Sequence, residues 1–299
     1  MTSSATGFEN QASALLEKTD VIASTPHSLV DLVDPFSRSD MKPSPVQTII
    51  SMLQKQLQGE ANGAWELACI PRPWKAVQEK EDEEYKPPEN ISKHPFPELT
   101  VPNPVVNGPR AIFPEVYLSV YSMQDVETVP STSDVASSLL RDALVDTINI
   151  LDVNRITAGK FLIDVDCYFS PNTFVKRATP FDKLRDLSGD RTTWKPEDVA
   201  VDAVFSQLFQ LPASEHKQVY YHSLLTECCK LAPAAIAPSL GRAIRFLYRN
   251  LDGLDLDLCY RFLDWFSHHL SNFGFTWKWS EWLVICIYVT ESKGNVLSF

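Results

Sequence analysis

The placement of proline restricts the fold of this chain more than any other feature of its sequence. Eleven of the 21 prolines lie between Pro71 and Pro130. Proline lacks a backbone N–H group and disfavours helical geometry in the residue before it, so no continuous helix can cross this stretch. The sequence therefore predicts a Pro-rich linker over residues 71–130.

Two helical patterns precede this linker. The first covers residues 10–22, and the second follows Ser44-Pro45, since proline is favoured at the first position of a helix. The apolar residues of these two patterns are Leu15, Leu16 and Ile22, followed by Ile49, Ile50, Leu53 and Leu57. This is too little apolar surface for an independent core, so residues 1–70 are interpreted as part of a larger unit.

From Ser131 onward, apolar residues recur at the spacing of helices with one buried face. Helices of about 12 to 18 residues joined by short connections are typical of antiparallel pairs stacked into an α-solenoid, so an all-α fold is predicted. Gly274 is expected to end the last helix. The predicted buried residues are Leu140, Leu144, Ile148 and Leu151; Ile156, Gly159, Ile163 and Cys167; Val201, Val204, Phe205 and Leu208; Tyr221, Leu224, Leu225 and Cys228; Leu240, Ile244, Leu247 and Leu251; and Cys259, Phe262, Leu263, Phe266, Leu270 and Phe273.

Composition excludes several classes of function. Thirty-eight acidic residues against 27 basic ones give a net charge of −11, which repels polyanions, so any link to RNA is expected to be indirect. The glycine patterns of dinucleotide and phosphate-binding loops do not occur. The longest apolar run, residues 282–289, is too short to span a bilayer, and no three consecutive Lys or Arg residues suggest an import signal.

Two adjacent pairs of residues are candidates for metal or redox chemistry. His268 and His269 would point about 100° apart on a helix, so they suit a hydrogen-bonded pair at a helix end better than a zinc site. Cys228 and Cys229 lack the Cys-x-x-Cys spacing of a redox pair, and a buried apolar role fits them better. Catalytic, metal and cofactor sites are therefore not expected, and an enzyme using Cys229 or His268 is the alternative from another class.

Carboxylates and aromatic rings near the end of the chain form two further candidates. Asp252, Asp255, Asp257 and Asp264 lack the spacing and the downstream Glu of a calcium loop, so they indicate a solvated loop and a helix N-terminus. Residues 262–282 hold four of the seven tryptophans, a density that could form a base-stacking surface. Because positive charge is sparse there, packing between helices is the favoured interpretation.

Three segments that follow one another in order resemble the second helical domain of the large subunit of the nuclear cap-binding complex. They are residues 204–212, residues 224–231 and, above all, residues 265–282. The resemblance is strong from about Ser131 to Trp282, while residues 71–121 resemble the family's linker and residues 1–70 the end of its first domain. The motif residues are Trp265, Phe266, His268, His269, Asn272, Phe273, Trp277, Trp279 and Trp282.

The resemblance implies an α-solenoid like the middle domain of translation initiation factor 4-gamma, in which these motif residues are mainly structural. It also implies a non-enzymatic scaffold without a cofactor. In the family, the large subunit clamps a small RNA-recognition-motif subunit that holds the 7-methylguanosine cap, and it recruits splicing, export and decay factors. The expected partners are therefore that small subunit, export and processing factors and, indirectly, capped mRNA. The expected location is the nucleus, with shuttling to the cytoplasm.

The resemblance stops after Trp282, where a β-branched apolar run begins. Residues 131–282 are therefore interpreted as an incomplete second domain, residues 283–299 as a tail foreign to the family, and the whole as a truncated chain of the fungal type. An unrelated helical-repeat adaptor in transport or decay complexes is the alternative. Such an adaptor would not bind the small cap-binding subunit.

Overall fold

The structure is a computed structural model, and it describes the chain in six main stretches. The linker residues 72–117 and the predicted tail 283–299 lie outside the described residues. The described residues are 9–23, 49–63, 65, 67–71, 118–131, 135–186 and 192–282.

The described part of the chain is all-α, as predicted, and contains no β-strand. Single 3₁₀ turns follow α4 at Val165–Cys167 and α8 at Leu251–Gly253. No helix within the described ranges has the length and apolar character needed to cross a membrane. The helices are α1 (Glu9–Ala23), α2 (Ile49–Asn62), α3 (Val135–Ile150), α4 (Arg155–Ile163), α5 (Phe181–Leu184), α6 (Pro196–Leu208), α7 (Gln218–Leu231), α8 (Pro233–Arg249) and α9 (Leu256–Asn272).

The long helices stack in two rows. One row consists of α3, α6 and α8, and the other of α4, α7 and α9. Neighbouring helices within each row are in contact, and α4 also contacts α6 of the other row. The α1–α2 pair joins the stack where α2 packs against α3. This arrangement confirms the predicted α-solenoid, in which each helix pair buries its apolar face against the next pair.

Helix α6 lies at the centre of the stack, in contact with α3, α4, α7 and α8. It begins with Pro196 at its first position, and Glu197 and Asp198 occupy its first turn, where carboxylates favour the positive end of the helix dipole. All of its residues except Gln207 are buried, including three carboxylates. A helix apolar on most sides can only be stable when it is surrounded by others.

The predicted buried face of this region is confirmed at Gly159 and wrong at Ile156 and Cys167, and Ile163 is partly buried. Ile156 and Cys167 are exposed, and the buried residues of this region are Ala158, Gly159, Leu162 and Val165. The regular helical spacing breaks because α4 ends at Ile163 and a 3₁₀ turn follows. Small residues face inward because α4 approaches α7 closely: a Cβ atom on Gly159 would lie 3.3 Å from the Leu231 side chain.

The predicted burial of Leu263 on α9 is also wrong, since this side chain is exposed. Its predicted neighbours Phe262, Phe266 and Leu270 are buried, and Cys259 and Phe273 are partly buried. Because successive helical residues are about 100° apart, Leu263 turns away from the face that Phe262 buries. The predicted buried residues of α6 and α7 are confirmed, as are Leu140, Leu144, Ile148, Leu240, Ile244 and Leu247.

Residues 118–131 form an irregular segment that packs into the helical core. Leu118, Val120, Tyr121 and Val129 all belong to the main cluster of buried apolar side chains. The end of the predicted linker therefore contributes to the core of the helices that follow it.

Candidate functional site

Helix α9 carries most of the predicted motif residues, and both of its ends are defined by local hydrogen bonds. At its start, the Asp255 carboxylate accepts a hydrogen bond from the Asp257 N–H at 2.8 Å. At its end, Gly274 has a left-handed φ of +63°, and the Phe275 N–H donates to the Leu270 carbonyl oxygen at 2.8 Å. This pattern is a Schellman-type terminus, so Gly274 ends the helix as predicted.

Four aromatic side chains fill the space between α8, α9 and the chain that follows α9. We call Tyr248, Phe266, Trp277 and Trp282 the aromatic cluster. Trp282 stacks on Tyr248 of α8 with ring centroids 3.9 Å apart, and it lies 5.3 Å from Phe266 of α9. Trp277 packs edge-on against Phe266 at 5.8 Å. These rings are engaged with one another, and they join the end of the described chain to the last two helices.

Arg245 of α8 attaches the segment after α9 in a second way. Its guanidinium lies 5.2 Å from the centroid of the Trp277 ring, and its Nε atom is 2.9 Å from Glu281 Oε2. Lys278 Nζ also lies 3.6 Å from Glu281. The hydrogen bond from Arg245, together with the positive charges of Arg245 and Lys278, lowers the pKa of the Glu281 carboxyl. The ion pair and the cation–π contact hold residues 277–282 against α8.

Trp265 links α9 to the centre of the stack. Its side chain is fully buried and packs edge-on against Phe205 of α6 at 4.7 Å. The ring of His269, one helical turn later, lies 5.4 Å from Trp265 and 4.8 Å from Phe273. Burial among these rings lowers the pKa of His269 to about 4, so its imidazole is neutral near pH 7.

His268 points to a different neighbour from His269. Its ring lies 5.4 Å from His222 of α7, and the Asn272 amide donates to the His268 carbonyl oxygen at 2.8 Å. Burial lowers the pKa of His268, and burial together with His268 lowers the pKa of His222 to about 4. Within the stretches that the structure describes, no three His, Cys, Asp or Glu side chains are grouped to hold a metal ion.

The two adjacent cysteines on α7 are buried, as predicted. Cys228 belongs to the main apolar core, and burial raises the pKa of its thiol to about 12. The pKa of Cys229 is raised for the same reason. Because the thiolate is the reactive form, neither group is suited to act as a nucleophile near neutral pH.

Only part of the motif lies at the surface. Asn272 and Trp279 are exposed, and so is the neighbouring Phe275. The Trp279 Nε1–H group donates to the Phe275 carbonyl oxygen at 3.3 Å, so this pair of residues is held together locally. Trp279 also packs edge-on against Trp282 at 6.0 Å, which connects the surface rings to the aromatic cluster.

The arrangement of helices and motif residues can be compared with known families. The sequence model described as "MIF4G like" matches residues 130–290, which is more than half of the chain. The chain belongs to the MIF4G-like family. The matched region runs eight residues past Trp282, the point at which the sequence analysis placed the end of the resemblance.

The curated relatives of this MIF4G-like chain carry related names. It is 37% identical over 278 residues to nuclear cap-binding protein subunit 1 of Schizosaccharomyces pombe, which covers 93% of this chain and 34% of the relative. It is 37% identical over 177 residues to the nuclear cap-binding protein complex subunit 1 of Saccharomyces cerevisiae, covering 58% of this chain and 20% of that relative. The human subunit 1 is 48% identical over 82 residues, 27% of this chain and 10% of the relative. The resemblance to the large subunit is confirmed, and the chain spans about a third of the length of the S. pombe relative.

Sequence reasoning missed a buried polar network at the centre of this MIF4G-like domain. The Asp198 carboxylate on α6 is fully buried, and it accepts hydrogen bonds from Arg242 of α8 and, at 2.7 Å, from the Ser239 hydroxyl. The Tyr121 hydroxyl lies 2.6 Å from Ser239 Oγ and 3.0 Å from the Ser239 carbonyl oxygen. These contacts tie α6, α8 and the end of the predicted linker together.

A second buried carboxylate extends this network one turn further along α6. Asp202 accepts hydrogen bonds from the Val120 N–H at 2.8 Å and from the Ser119 hydroxyl at 3.0 Å. Burial raises the pKa of Asp202 to about 7, because the hydrogen bonds only partly offset the loss of solvent. We call Ser119, Val120, Tyr121, Asp198, Asp202, Ser239 and Arg242 the polar clasp. The signal in the sequence was a pair of Asp residues four positions apart in a mostly apolar helix.

Arg261 of α9 is a further residue whose role the sequence did not reveal. Its buried guanidinium donates to three carbonyl oxygens at and after the end of α6, at 2.7–3.1 Å. It also forms an ion pair with Asp257 at 2.5 Å. A single side chain therefore satisfies carbonyl groups that a helix end leaves without partners. The accepting residues are Leu208, Gln210 and Pro212.

Proposed function

We propose that this chain is a non-enzymatic scaffold subunit of a nuclear cap-binding complex. The observation that carries the proposal is the 37% identity to a nuclear cap-binding protein subunit 1 over 93% of the chain. The buried thiols of α7 and the neutral, packed imidazoles of α9 agree with a protein that performs no chemistry. The two-row helical stack agrees with it too, because such stacks offer extended surfaces to other proteins.

In this proposal the 7-methylguanosine cap is held by another chain, a small RNA-recognition-motif subunit that this scaffold supports. Factors for splicing, export and decay would bind other surfaces of the same scaffold, and the complex would act in the nucleus and shuttle to the cytoplasm. Two observations support an indirect role in RNA binding. The chain has a net charge of −11, and the tryptophans of the aromatic cluster stack on protein rings.

We also propose that most of the motif residues are structural, and that the chain is organised around the domain limits predicted from the sequence. Trp265 and Phe266 support a structural role because they are buried in contact with α6 and with the aromatic cluster. Residues 1–70 would be the end of a first helical-repeat domain, residues 71–130 a linker, and residues 131–282 a second domain.

Retention on 7-methylguanosine resin tests the proposed function. The chain alone should pass through the resin, whereas the chain mixed with the small subunit should be retained and released by free cap analogue. A resin carrying unmethylated guanosine is the control for charge effects.

Two results would contradict the proposal. Retention of the chain alone, reversed by free cap analogue, would assign cap binding to this chain itself. If the small subunit in the mixture is retained while this chain passes through the resin, the two do not form a complex, as expected of an unrelated helical adaptor.

A further inference from the structure

Two histidines from different helices meet where α7 packs against α9. The ring centroids of His222 on α7 and His268 on α9 lie 5.4 Å apart, with the ring planes tilted by 45°. Because metal–nitrogen distances are about 2.0–2.1 Å, two imidazoles that share one tetrahedral ion have centroids about 5 Å apart. The separation of His222 and His268 therefore suits two ligands of the same ion.

Ring nitrogens of both histidines are available to a ligand. His222 is only 7% exposed, and its Nε2 atom is buried without a hydrogen-bond partner among the residues that the structure describes. The Asn272 Nδ2 atom lies 3.4 and 3.3 Å from the two ring nitrogens of His268, whereas a donor aligned with one lone pair would be much closer to that nitrogen than to the other. Asn272 instead donates to the His268 carbonyl oxygen at 2.8 Å. Neither lone pair of His268 is therefore taken by this amide.

Both imidazoles are in the protonation state that binds metal ions. Burial and the neighbouring His268 lower the pKa of His222 to about 4, although the Asp264 carboxylate acts in the opposite direction. Burial and the Lys230 ammonium group lower the pKa of His268. A neutral imidazole keeps the lone pair that a metal ion requires. Since Asp264 attracts a bound cation and Lys230 repels it, the bonds to the two rings decide the affinity.

This pair of neutral imidazoles indicates one class of ligand. We propose that His222 and His268 together bind a divalent transition-metal ion such as Zn²⁺, with water completing its coordination. Imidazole nitrogen suits such ions, whereas Mg²⁺ and Ca²⁺ prefer oxygen ligands. His268 is only partly buried, so the ion and its water ligands can enter from that side. The neighbouring His269 takes no part, because its ring packs on Trp265 and Phe273.

This inference goes beyond the proposed scaffold role and does not depend on cap binding or on the small subunit. The bound ion joins α7 to α9, the last two helices of one row, and gives the buried His222 nitrogen a partner. Two protein ligands are fewer than the four of a closed structural zinc site, so the ion binds reversibly and the helices fold without it.

Isothermal titration calorimetry of Zn²⁺ into the metal-free, full 299-residue chain tests the proposal. The parent chain carries Cys167→Ser, which removes an exposed thiol that would compete for zinc. One Zn²⁺ ion should bind per chain, whereas Mg²⁺ should give no binding heat. Titrations in two buffers of different ionisation enthalpy should show no net release of protons, because neutral imidazoles have none to lose. A site made of cysteines would release about one proton for each thiolate formed.

Substitutions locate the bound ion. His222→Gln and His268→Gln should each weaken Zn²⁺ binding at least about tenfold, because each removes a ligand. His216→Gln is the matched control: the His216 Nδ1 atom lies 3.6 Å from the Asp152 carboxylate, away from the pair, and its loss should leave the affinity unchanged. Zn²⁺ should also raise the melting temperature of the parent chain but not that of His268→Gln. Since His268 is only partly buried, this variant keeps the test valid if His222→Gln does not fold.

Three outcomes would overturn the proposal. Zn²⁺ gives no binding heat, which would leave the two rings as packing partners only. Zn²⁺ binding releases about one proton for each ligand, which would place the ion on cysteine thiols. His268→Gln binds Zn²⁺ as tightly as the parent chain, or His216→Gln abolishes binding, and either result would place the ion at another site.

Discussion

The centre and the end of the helical stack are held together by different kinds of contact. At the centre, the polar clasp joins α6, α8 and residues 119–121 through directed hydrogen bonds to two buried carboxylates. At the end, the aromatic cluster joins α8, α9 and residues 277–282 through ring contacts between 3.9 and 5.8 Å. The centre depends on buried charge and directed hydrogen bonds, whereas the end depends mainly on apolar area, with the partly exposed Arg245–Glu281 ion pair beside it.

This difference determines how the stability contributed by each region responds to substitutions. When one member of a buried charged pair is removed, the other stays buried without a partner and its cost of desolvation is no longer offset. A single substitution in the clasp should therefore lower the free energy of unfolding strongly. The ring contacts of the cluster are shared among several residues, so each single substitution should remove only part of its contribution to stability. Burial raises the pKa of Asp202 in the clasp, and it lowers the pKa values of His222 and His269 where α7 and α9 pack, so these two kinds of group should give pH dependences of opposite sign.

The largest effect is expected from Asp198→Ala in the polar clasp. Removing this carboxylate leaves Arg242 and the Ser239 hydroxyl without their partner and should lower the free energy of unfolding by about 4 kcal/mol. Urea unfolding followed by circular dichroism measures the change. Asp146→Ala, at an exposed position of α3, is the matched control and should change it by less than about 0.5 kcal/mol. Equal effects of the two substitutions would show that the clasp does not hold the centre together.

Phe266→Ala in the aromatic cluster should lower the free energy of unfolding by about 3 kcal/mol, through lost burial and a residual cavity. This value is at the lower end for buried Phe because Trp277 and Trp282 lie beside the cavity and can partly fill it. The same urea titration measures it, with exposed Phe275→Ala as the control. A loss larger than that of Asp198→Ala would reverse the order of the two regions.

Asp202→Asn should remove a pH dependence that belongs to the centre. The pKa of Asp202 rises from 3.8 to about 7 on folding, so the folded chain binds a proton that the unfolded chain releases between these values. The contribution of Asp202 to stability is therefore present below about pH 4 and is lost as the pH rises to about 7. Urea unfolding at several pH values should show that the free energy of unfolding of the variant rises relative to that of the wild type over this range. A constant difference between the two chains would contradict the raised pKa.

His269→Gln should remove a smaller pH dependence of opposite sign. The pKa of His269 falls from 6.5 to about 4 on folding, so between these values the unfolded chain binds the extra proton. Its contribution is present above about pH 6.5 and is lost as the pH falls to about 4. The unfolding free energy of the variant should therefore rise less steeply with pH over this range. The wild-type chain, unfolded at the same pH values, is the reference, and equal slopes for the two chains would contradict the lowered pKa of His269.

The smallest effect is expected at the exposed edge of the aromatic cluster. Trp279→Ala should change the free energy of unfolding by less than about 1 kcal/mol, because its ring is exposed and makes one edge-on contact with Trp282. Thermal unfolding measures the shift. A loss comparable to that of Phe266→Ala would show that the cluster extends to the surface ring.

Several features of the fold were visible in the sequence because they depend on local chemistry. The apolar spacing of α7 and α8 predicted their buried faces, and Gly274 predicted the end of α9. The prediction failed where packing overrode spacing. In α4, the close approach to α7 at Gly159 buries small residues and leaves Ile156 exposed. In α9, Leu263 is exposed because the helix is packed on the side that carries Phe262 and Trp265.

By itself, the sequence determined the helical class, the stacked arrangement and the resemblance to the large cap-binding subunit. These features follow from the helical spacing of apolar residues and from aromatic motifs, both of which involve residues close together in the sequence. Tertiary structure alone decided which charged residues are buried together and which apolar ones remain outside. Asp202 meets Val120 and Ser119 across more than 80 positions of sequence, and Arg261 reaches the end of α6 across about 50. Such partners are selected by the packing of whole helices, which no local pattern of residues encodes.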